Sequence, residues 1–287
     1  MNAAVFADVH GRGALCFDLC ARWQQHTGEP IDLIMQAGDF GAFPERARLD
    51  SATRRYARRD RTELGFMYHF VGITPEIDAL LAKTDAPLVF VRGNHEDHEW
   101  LDRLETASRE AIFQVDVYGR VFCLKTGAPY TFEARGDTLR IMGIGRITPR
   151  SRRRAATSVD IQPYERRRLK RNEHEPVDIL LTHDRAAEPG TNGMTEIRDY
   201  LALRRPAYHS TGMWAGRARS TRTRTALPPR SNLPTCTGRA MVRLRWALLV
   251  FCAGTARRTI TSVWLMSRGW QDSTNIRGVT HPEGIKM

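Results

Sequence analysis
Apolar residues along the chain follow two alternating patterns. Short unbroken runs read as buried strands, and longer stretches with an apolar residue every three or four positions read as helices. The run from Ala3 to Val9 comes first, and Gly11 to His26 follows with helical spacing. Ile31 to Gln36, Pro87 to Val91 and Val177 to Leu181 repeat the strand pattern, while Thr74 to Lys83 and Met194 to Ala202 repeat the helical one. Ile112 to Leu124 and Thr138 to Ile144 predict a more β-rich stretch. Continuous apolar strands alternating with helices predict a mostly parallel α/β sheet covered on both faces. Residues 45–63, rich in Arg, Asp and Glu, read as an exposed helix inserted after the second strand. Residues 150–171 carry nine Arg or Lys and read as a solvated loop and helix. No internal repeat is visible.

After Tyr208 the pattern fails. Residues 209–287 hold twelve Arg and one Lys against only Asp272 and Glu283, together with four Trp. The whole chain of 287 residues has 44 basic and 32 acidic residues, so 31 basic and 30 acidic residues remain in 1–208. Of the net charge of +12, the tail therefore carries +11. Near-neutrality of 1–208 weighs against an obligate polynucleotide substrate, although 45–63 and 150–171 leave nucleic acid compatible. The five cysteines are odd in number and lack metal-site spacing. Cys16 and Cys20, four apart in a helical stretch, read as reduced core thiols, and the expected location is cytoplasmic. The start of the chain lacks the basic-then-apolar order of a leader, and Trp246 to Gly254 is too short an apolar run to span a bilayer.

Four strand exits carry the chemistry. They read Asp8-Val9-His10, Gly38-Asp39, Gly93-Asn94-His95-Glu96 and Thr182-His183-Asp184. Alone, Asp8 or Asp39 reads as a helix cap and His183 as an ordinary strand-end histidine. As an ordered set, mixed oxygen and imidazole donors suit two divalent transition metals sharing a carboxylate. Glu96, Asp97 and His98 read equally as supporting or capping groups, and His69 as a packed histidine. Gly143-Ile144-Gly145-Arg146 reads as a turn rather than a phosphate loop.

Over residues 3–208 these blocks resemble the calcineurin-like metallophosphoesterases, whose pattern is D-x-H, G-D, G-N-H-[DE], a lone His after a strand, and a closing G-H-x-H. The resemblance implies a four-layer αββα sandwich of two mixed sheets, with the metals at the sheet ends. It implies Asp8, His10, Asp39, Asn94 and His183 as metal ligands, with Asp39 bridging two cations about 3.5 Å apart. The cations would be Mn²⁺ first, with Fe, Zn or Ni as alternatives. His95 would stabilise charge on the phosphate or protonate the leaving oxygen, and Arg92 would help hold the phosphate. The implied reaction is hydrolysis of a phosphomonoester or phosphodiester by a metal-bridging hydroxide.

The closing G-H-x-H is missing. Its place reads His209-Ser210-Thr211-Gly212-Met213-Trp214-Ala215. Dropping one T from codons for His-Phe-Tyr-Gly-His-Val-Gly gives that reading. The chain is therefore expected to divide into a metallophosphoesterase domain over 1–209 and a frameshifted, poorly ordered Arg-rich tail over 210–287. The C-terminal portion of the second sheet should then be missing, with activity impaired and solubility reduced. Two rival readings are a non-catalytic scaffold and a nucleic-acid binder acting through the tail. The first is disfavoured by the presence of Asp8, His10, Asp39, Asn94, His95 and His183 together.

Overall fold
Alternate residues of single strands enter different hydrophobic cores, and this shows how the layers stack. Residues 1–149, 156–190 and 192–212 are described by a computed structural model, together with the backbone of 248–252, 263–266 and 277–279. The first half runs β1 (Asn2–Phe6), α1 (Gly13–Thr27), β2 (Leu33–Gln36), α2 (Ser51–Tyr56), α3 (Gly65–His69), α4 (Pro75–Leu81), β3 (Leu88–Phe90) and α5 (His98–Ala107). Then come β4 (Ile112–Gln114), β5 (Val121–Leu124), β6 (Pro129–Ala134), β7 (Asp137–Ile144), α6 (Pro163–Arg171), β8 (Ile179–Thr182), α7 (Thr195–Arg204) and β9 (Tyr208–Thr211). Three further strands, β10 (Leu248–Cys252), β11 (Val263–Met266) and β12 (Arg277–Val279), complete the order.

In β1, Ala4 and Phe6 face a core shared with Cys16, Phe17 and Cys20 of α1, while Ala3 and Val5 face the opposite way. In β8, Ile179 and Leu181 meet Val5, Met35 and Val91 of the first sheet, whereas Leu180 packs with Ile197 and Tyr200 of α7. Period-2 alternation with both faces apolar is what a sheet covered on both sides requires. The layers are thus helix, sheet, sheet, helix, and the chain is an α/β sandwich of two mixed sheets, as expected.

The first sheet has the order β12-β11-β10-β1-β2-β3-β5-β4, and the second β6-β7-β8-β9. β1, β2, β3 and β5 are mutually parallel, as are β7, β8 and β9. Their carboxyl ends gather at one pole, where ligands of open parallel sheets bind. Phe40, one residue past Asp39, is fully buried and stacks on Phe90 at 4.7 Å between ring centroids. Burying such a ring contributes roughly 1.5–3 kcal/mol, so the exit of β2 is pinned to the exit of β3.

Beyond Gly212 only β10, β11 and β12 are described, and they join the first sheet, with β10 antiparallel to β1. Little regular structure was expected there, and these three segments depart from that expectation. The rest of the expected tail, and Arg150 to Ala155 of the basic run, lie outside the described residues. The segment 45–63 is also less simple than one exposed helix. It comprises a short 3₁₀ turn, α2 and a second 3₁₀ turn (Arg61–Leu64), with Thr53, Glu63 and Leu64 buried. Among the described residues, no helix is long and apolar enough to cross a membrane.

A buried ionic network ties the sheets together at the carboxyl pole. Arg92 Nη1 and Arg146 Nη2 both lie 2.5 Å from Asp102 Oδ1 of α5. Arg92 Nη2 also holds Glu105 at 2.6 Å, and Arg146 Nε holds Glu165 of α6 at 2.9 Å. Arg146 and Glu165 are completely buried. Removing one partner strands the other charge away from water, which typically costs about 3–5 kcal/mol, more than the intact pair contributes. Arg146→Ala is therefore expected to lower the urea unfolding free energy by about 3–5 kcal/mol, and Arg146→Met combined with Glu165→Leu to recover much of it.

His98 lies against this network, and neither ring nitrogen has a hydrogen-bond partner. Burial, then Arg146 and Arg92, push its pKa well below the usual 6.5, so it folds as the neutral ring. As pH falls through about 6.5 the unfolded chain takes up a proton that the folded chain refuses, and stability drops. Urea unfolding across that range should show a shallower acid loss for His98→Leu than for the native chain.

Candidate metal centre
The sequence places polar residues at strand exits, and the backbone there is bent to aim them. Asp8, His10 and Asp39 all adopt left-handed backbone, with φ of 51°, 45° and 54°. Non-glycine residues are uncommon in this region, which costs of order 1–3 kcal/mol each when over-determined by the surroundings. Two neighbouring glycines let the loops close. A Cβ on Gly38 would sit 2.5 Å from the His183 ring, and one on Gly93 would sit 2.1 Å from Asp39 Oδ1.

Ligand atoms of Asp8, Asp39 and His183 lie within 4.8 Å of one another. His10 Nε2 is 3.8 Å from Asp39 Oδ2, and His183 Nε2 is 3.4 Å from Asp39 Oδ1. Asn94 Oδ1 is 3.2 Å from His183 Nε2. All five residues expected as ligands therefore meet at the exits of β1, β2, β3 and β8. Asp39 is gripped as well as surrounded, since its Oδ1 accepts the backbone N–H of Asn94 at 2.7 Å and of His95 at 2.8 Å.

The donors fit a cation on chemical grounds. His183 Nδ1 donates to the Ala37 carbonyl at 3.1 Å, which leaves Nε2 as a lone pair. In the neutral ring that lone pair faces Asn94 Oδ1 and Asp39 Oδ1, so three acceptors converge. Burial works against charge on His183, but the Asp39 and Asp8 carboxylates outweigh it and raise its pKa, so a proton answers them where a cation does not. Buried acceptors in this arrangement need a positive charge. The titration behaviour points the same way. Burial, with Asp39 adding to it, raises Asp8 to about 7. Burial likewise keeps His10 below its ordinary value and so neutral. For Asp39, burial is outweighed by His183, His95 and His10, and its carboxyl stays below the usual range. Asp39 and His10 are thus held in forms that bind divalent cations, whereas Asp8 and His183 would release a proton on binding.

Around the donors, other residues hold the loops. Glu96 is buried and accepts the backbone N–H groups of Phe40, Gly41 and Ala42 at 2.8–2.9 Å and of Gly93 at 3.2 Å. Asp97 caps α5 through Trp100 N–H and pairs with Arg48. The 45–63 segment contributes four contacts that pattern alone does not show. Asp50 Oδ2 is 2.8 Å from His95 Nδ1, and Arg12 pairs with Asp60 at 2.6 Å and with Glu63 at 3.4 Å. Glu63 Oε2 lies 4.0 Å from His10 Nδ1. The one sequence signal for Asp50 is its place before Ser51-Ala52-Thr53, as the cap of α2.

His95 lies beside the donors, its ring 5.4 Å from that of His10 and its side chain 24% exposed. Burial opposes its charge, but the Asp50 hydrogen bond and the Asp39 carboxylate outweigh this and raise it to about 9. Arg92 is a correction. It was expected to hold phosphate, yet it is 2% exposed and both its terminal nitrogens are committed to Asp102 and Glu105. It follows β3 directly, and alternation sends its side chain into the network rather than the pole.

The closing segment also reaches the site. β9 runs parallel to β8, and Gly212 N–H donates to Thr182 O at 3.1 Å. A Cβ on Gly212 would lie 2.1 Å from Ala37 O and 2.8 Å from His183 Nδ1. The chain therefore leaves β9 at the carboxyl pole, where the absent G-H-x-H was expected, and Met213 to Ala247 lie outside the described residues.

Glu96 gives the sharpest test of this construction. Glu96→Gln puts an amide donor against the backbone N–H groups that its carboxylate now accepts. Calorimetric titration with Mn²⁺ should show affinity weakened about 10–100-fold while the unfolding transition stays cooperative.

No curated protein matches the chain. The sequence profile described as Calcineurin-like phosphoesterase matches residues 1–208. Profile, layered fold and convergent donors agree, and the chain belongs to the calcineurin-like phosphoesterase family.

Proposed function
We propose that this protein hydrolyses a phosphoester at a centre of two divalent cations, with Mn²⁺ the first choice. The observation that carries the reading is the meeting of His183 Nε2, Asn94 Oδ1 and Asp39 Oδ1, three acceptors that a cation would satisfy. Asp39, with Oδ1 toward His183 and Oδ2 toward His10, would be shared between two ions. Asp8 and His10 would complete one side, Asn94 and His183 the other. When bound, the ions would supply an activated water and offset charge on the phosphate.

The chain's own groups divide the remaining work. Asp50 accepts from His95 Nδ1–H and so orients the ring with Nε2 available to the substrate. With both ring nitrogens protonated, His95 would donate its Nε2 proton to the departing oxygen, which matters most for a poor leaving group. The sequence lacks the two histidines of the closing motif, so weaker ion binding than a complete donor set would give is part of the proposal.

Turnover measured with an alkyl phosphate, an aryl phosphate and bis(p-nitrophenyl) phosphate in Mn²⁺ tests the scheme. Asp39→Asn is expected to abolish activity on all three, because an amide cannot replace the shared charge. His95→Gln is expected to keep ions bound, and to slow the alkyl ester about 10²–10⁴-fold with a smaller loss on the aryl ester. Activity intact in Asp39→Asn would end the two-ion scheme. Loss of ions in His95→Gln would make His95 a ligand.

A further inference from the structure
We infer that the arginine-bearing segment after β2 is a binding surface for single-stranded nucleic acid leading to the metal pole. The inference rests on the hydrolase reading for the chemistry at the end of that surface, and on separate observations for the surface itself. Residues 45–64 hold seven Arg against four acids, Glu45, Asp50, Asp60 and Glu63. Three of those acids are engaged by other groups: Asp50 by His95, the half-buried Asp60 by Arg12, and Glu63 in the buried floor beside His10. Near-neutrality of 1–208 as a whole therefore conceals a local excess of outward cations.

The helix geometry sorts the charges. Thr53 and Ala57, four apart, are buried, and Ala57 packs with Phe43, Leu49 and Leu64 in a small core of the segment's own. Arg54, Arg55, Arg58 and Arg59 are exposed on the other side, and Arg61 follows at the start of the next turn. Among the described residues, Arg55, Arg58, Arg59 and Arg61 have no carboxylate partner. Tyr56 lies between them, 45% exposed, with the Arg55 guanidinium 5.1 Å from its ring centroid. Forked guanidinium groups match phosphate oxygens, and an exposed aromatic ring beside them offers a face on which a base can stack.

Position links this surface to the site. Asp50 holds the front of the segment to His95, and the Arg12–Asp60 pair holds its back to the loop that carries His10. The arginines therefore span the edge of the pole between two of the residues that would face a substrate. A strand with a phosphate at every nucleotide can lie along the arginines while one phosphodiester sits at the ions. A small phosphomonoester would leave those cations unused.

The test uses full-length protein and a quadruple variant, Arg55→Gln, Arg58→Gln, Arg59→Gln and Arg61→Gln. Binding of a fluorescent oligothymidylate is followed by anisotropy in EDTA across a salt series, and hydrolysis of bis(p-nitrophenyl) phosphate is followed in Mn²⁺. The variant is expected to bind at least about tenfold more weakly. Its log–log salt slope should be shallower by about 2–3, since each phosphate contact on a single strand contributes about 0.7. Turnover of the small diester should stay within about twofold, because none of the four arginines is placed among the reacting groups.

Unchanged affinity and slope would overturn the inference, and would assign any binding to the basic sequence after Gly212. A variant that loses affinity for an acidic phosphopeptide but not for the oligonucleotide would overturn it in favour of a protein partner. If native protein hydrolyses nothing, the hydrolase reading fails while anisotropy still decides the surface. If the variant loses diester turnover as well, Arg59→Gln alone, exposed in the turn after α2, repeats the measurement, and an unchanged slope there overturns the proposal.

Discussion
The buried carboxylate of Asp39 is the constraint on which the pole is built. It follows β2 in strained backbone, accepts two N–H groups from the β3 exit and faces imidazoles from the β1 and β8 exits. A charge this deep is tolerable only where partners surround it. That requirement fixes the register between four strand ends. It also explains why Gly38 and Gly93 have no side chain, since a Cβ on Gly38 would strike the His183 ring and one on Gly93 would strike Asp39.

Stability and site are built from separate charge systems at the same pole. The Arg92, Asp102, Arg146 and Glu165 network is closed upon itself and joins the two sheets to α5 and α6. The donor set is open, with acceptors facing one another across a space that a cation suits. The first arrangement rigidifies the frame. The second holds strain and like charge, features that persist where function needs them.

The segment between β2 and β3 connects these systems to the surface. Its apolar side chains form a core of their own, its acids orient His95 and anchor the loop of His10, and its arginines face water. One short segment thus positions a residue beside the donors and sets the charge at the site's edge. The neutral composition of 1–208 gave no hint of this, because the counterbalancing acids are engaged by other groups.

Sequence by itself determined the parallel α/β plan and which polar residues stand at the strand exits. Strand burial is written in unbroken apolar runs, and ligand chemistry is written in residue types at strand exits, both of which are local properties. Tertiary structure decided the rest. Arg92 adjoins a site motif in sequence, yet side-chain alternation and two acids on α5 draw it into the frame. Asp50 and Glu63 looked like ordinary surface acids of a charged helix, because nothing local shows that the chain folds back over the β1 and β3 exits. Strand β10 pairs with β1, a neighbour more than 200 residues away that no local pattern indicates, and β11 and β12 join the sheet only through it. Local pattern specifies what a segment can become, and long-range contact decides which side chains meet.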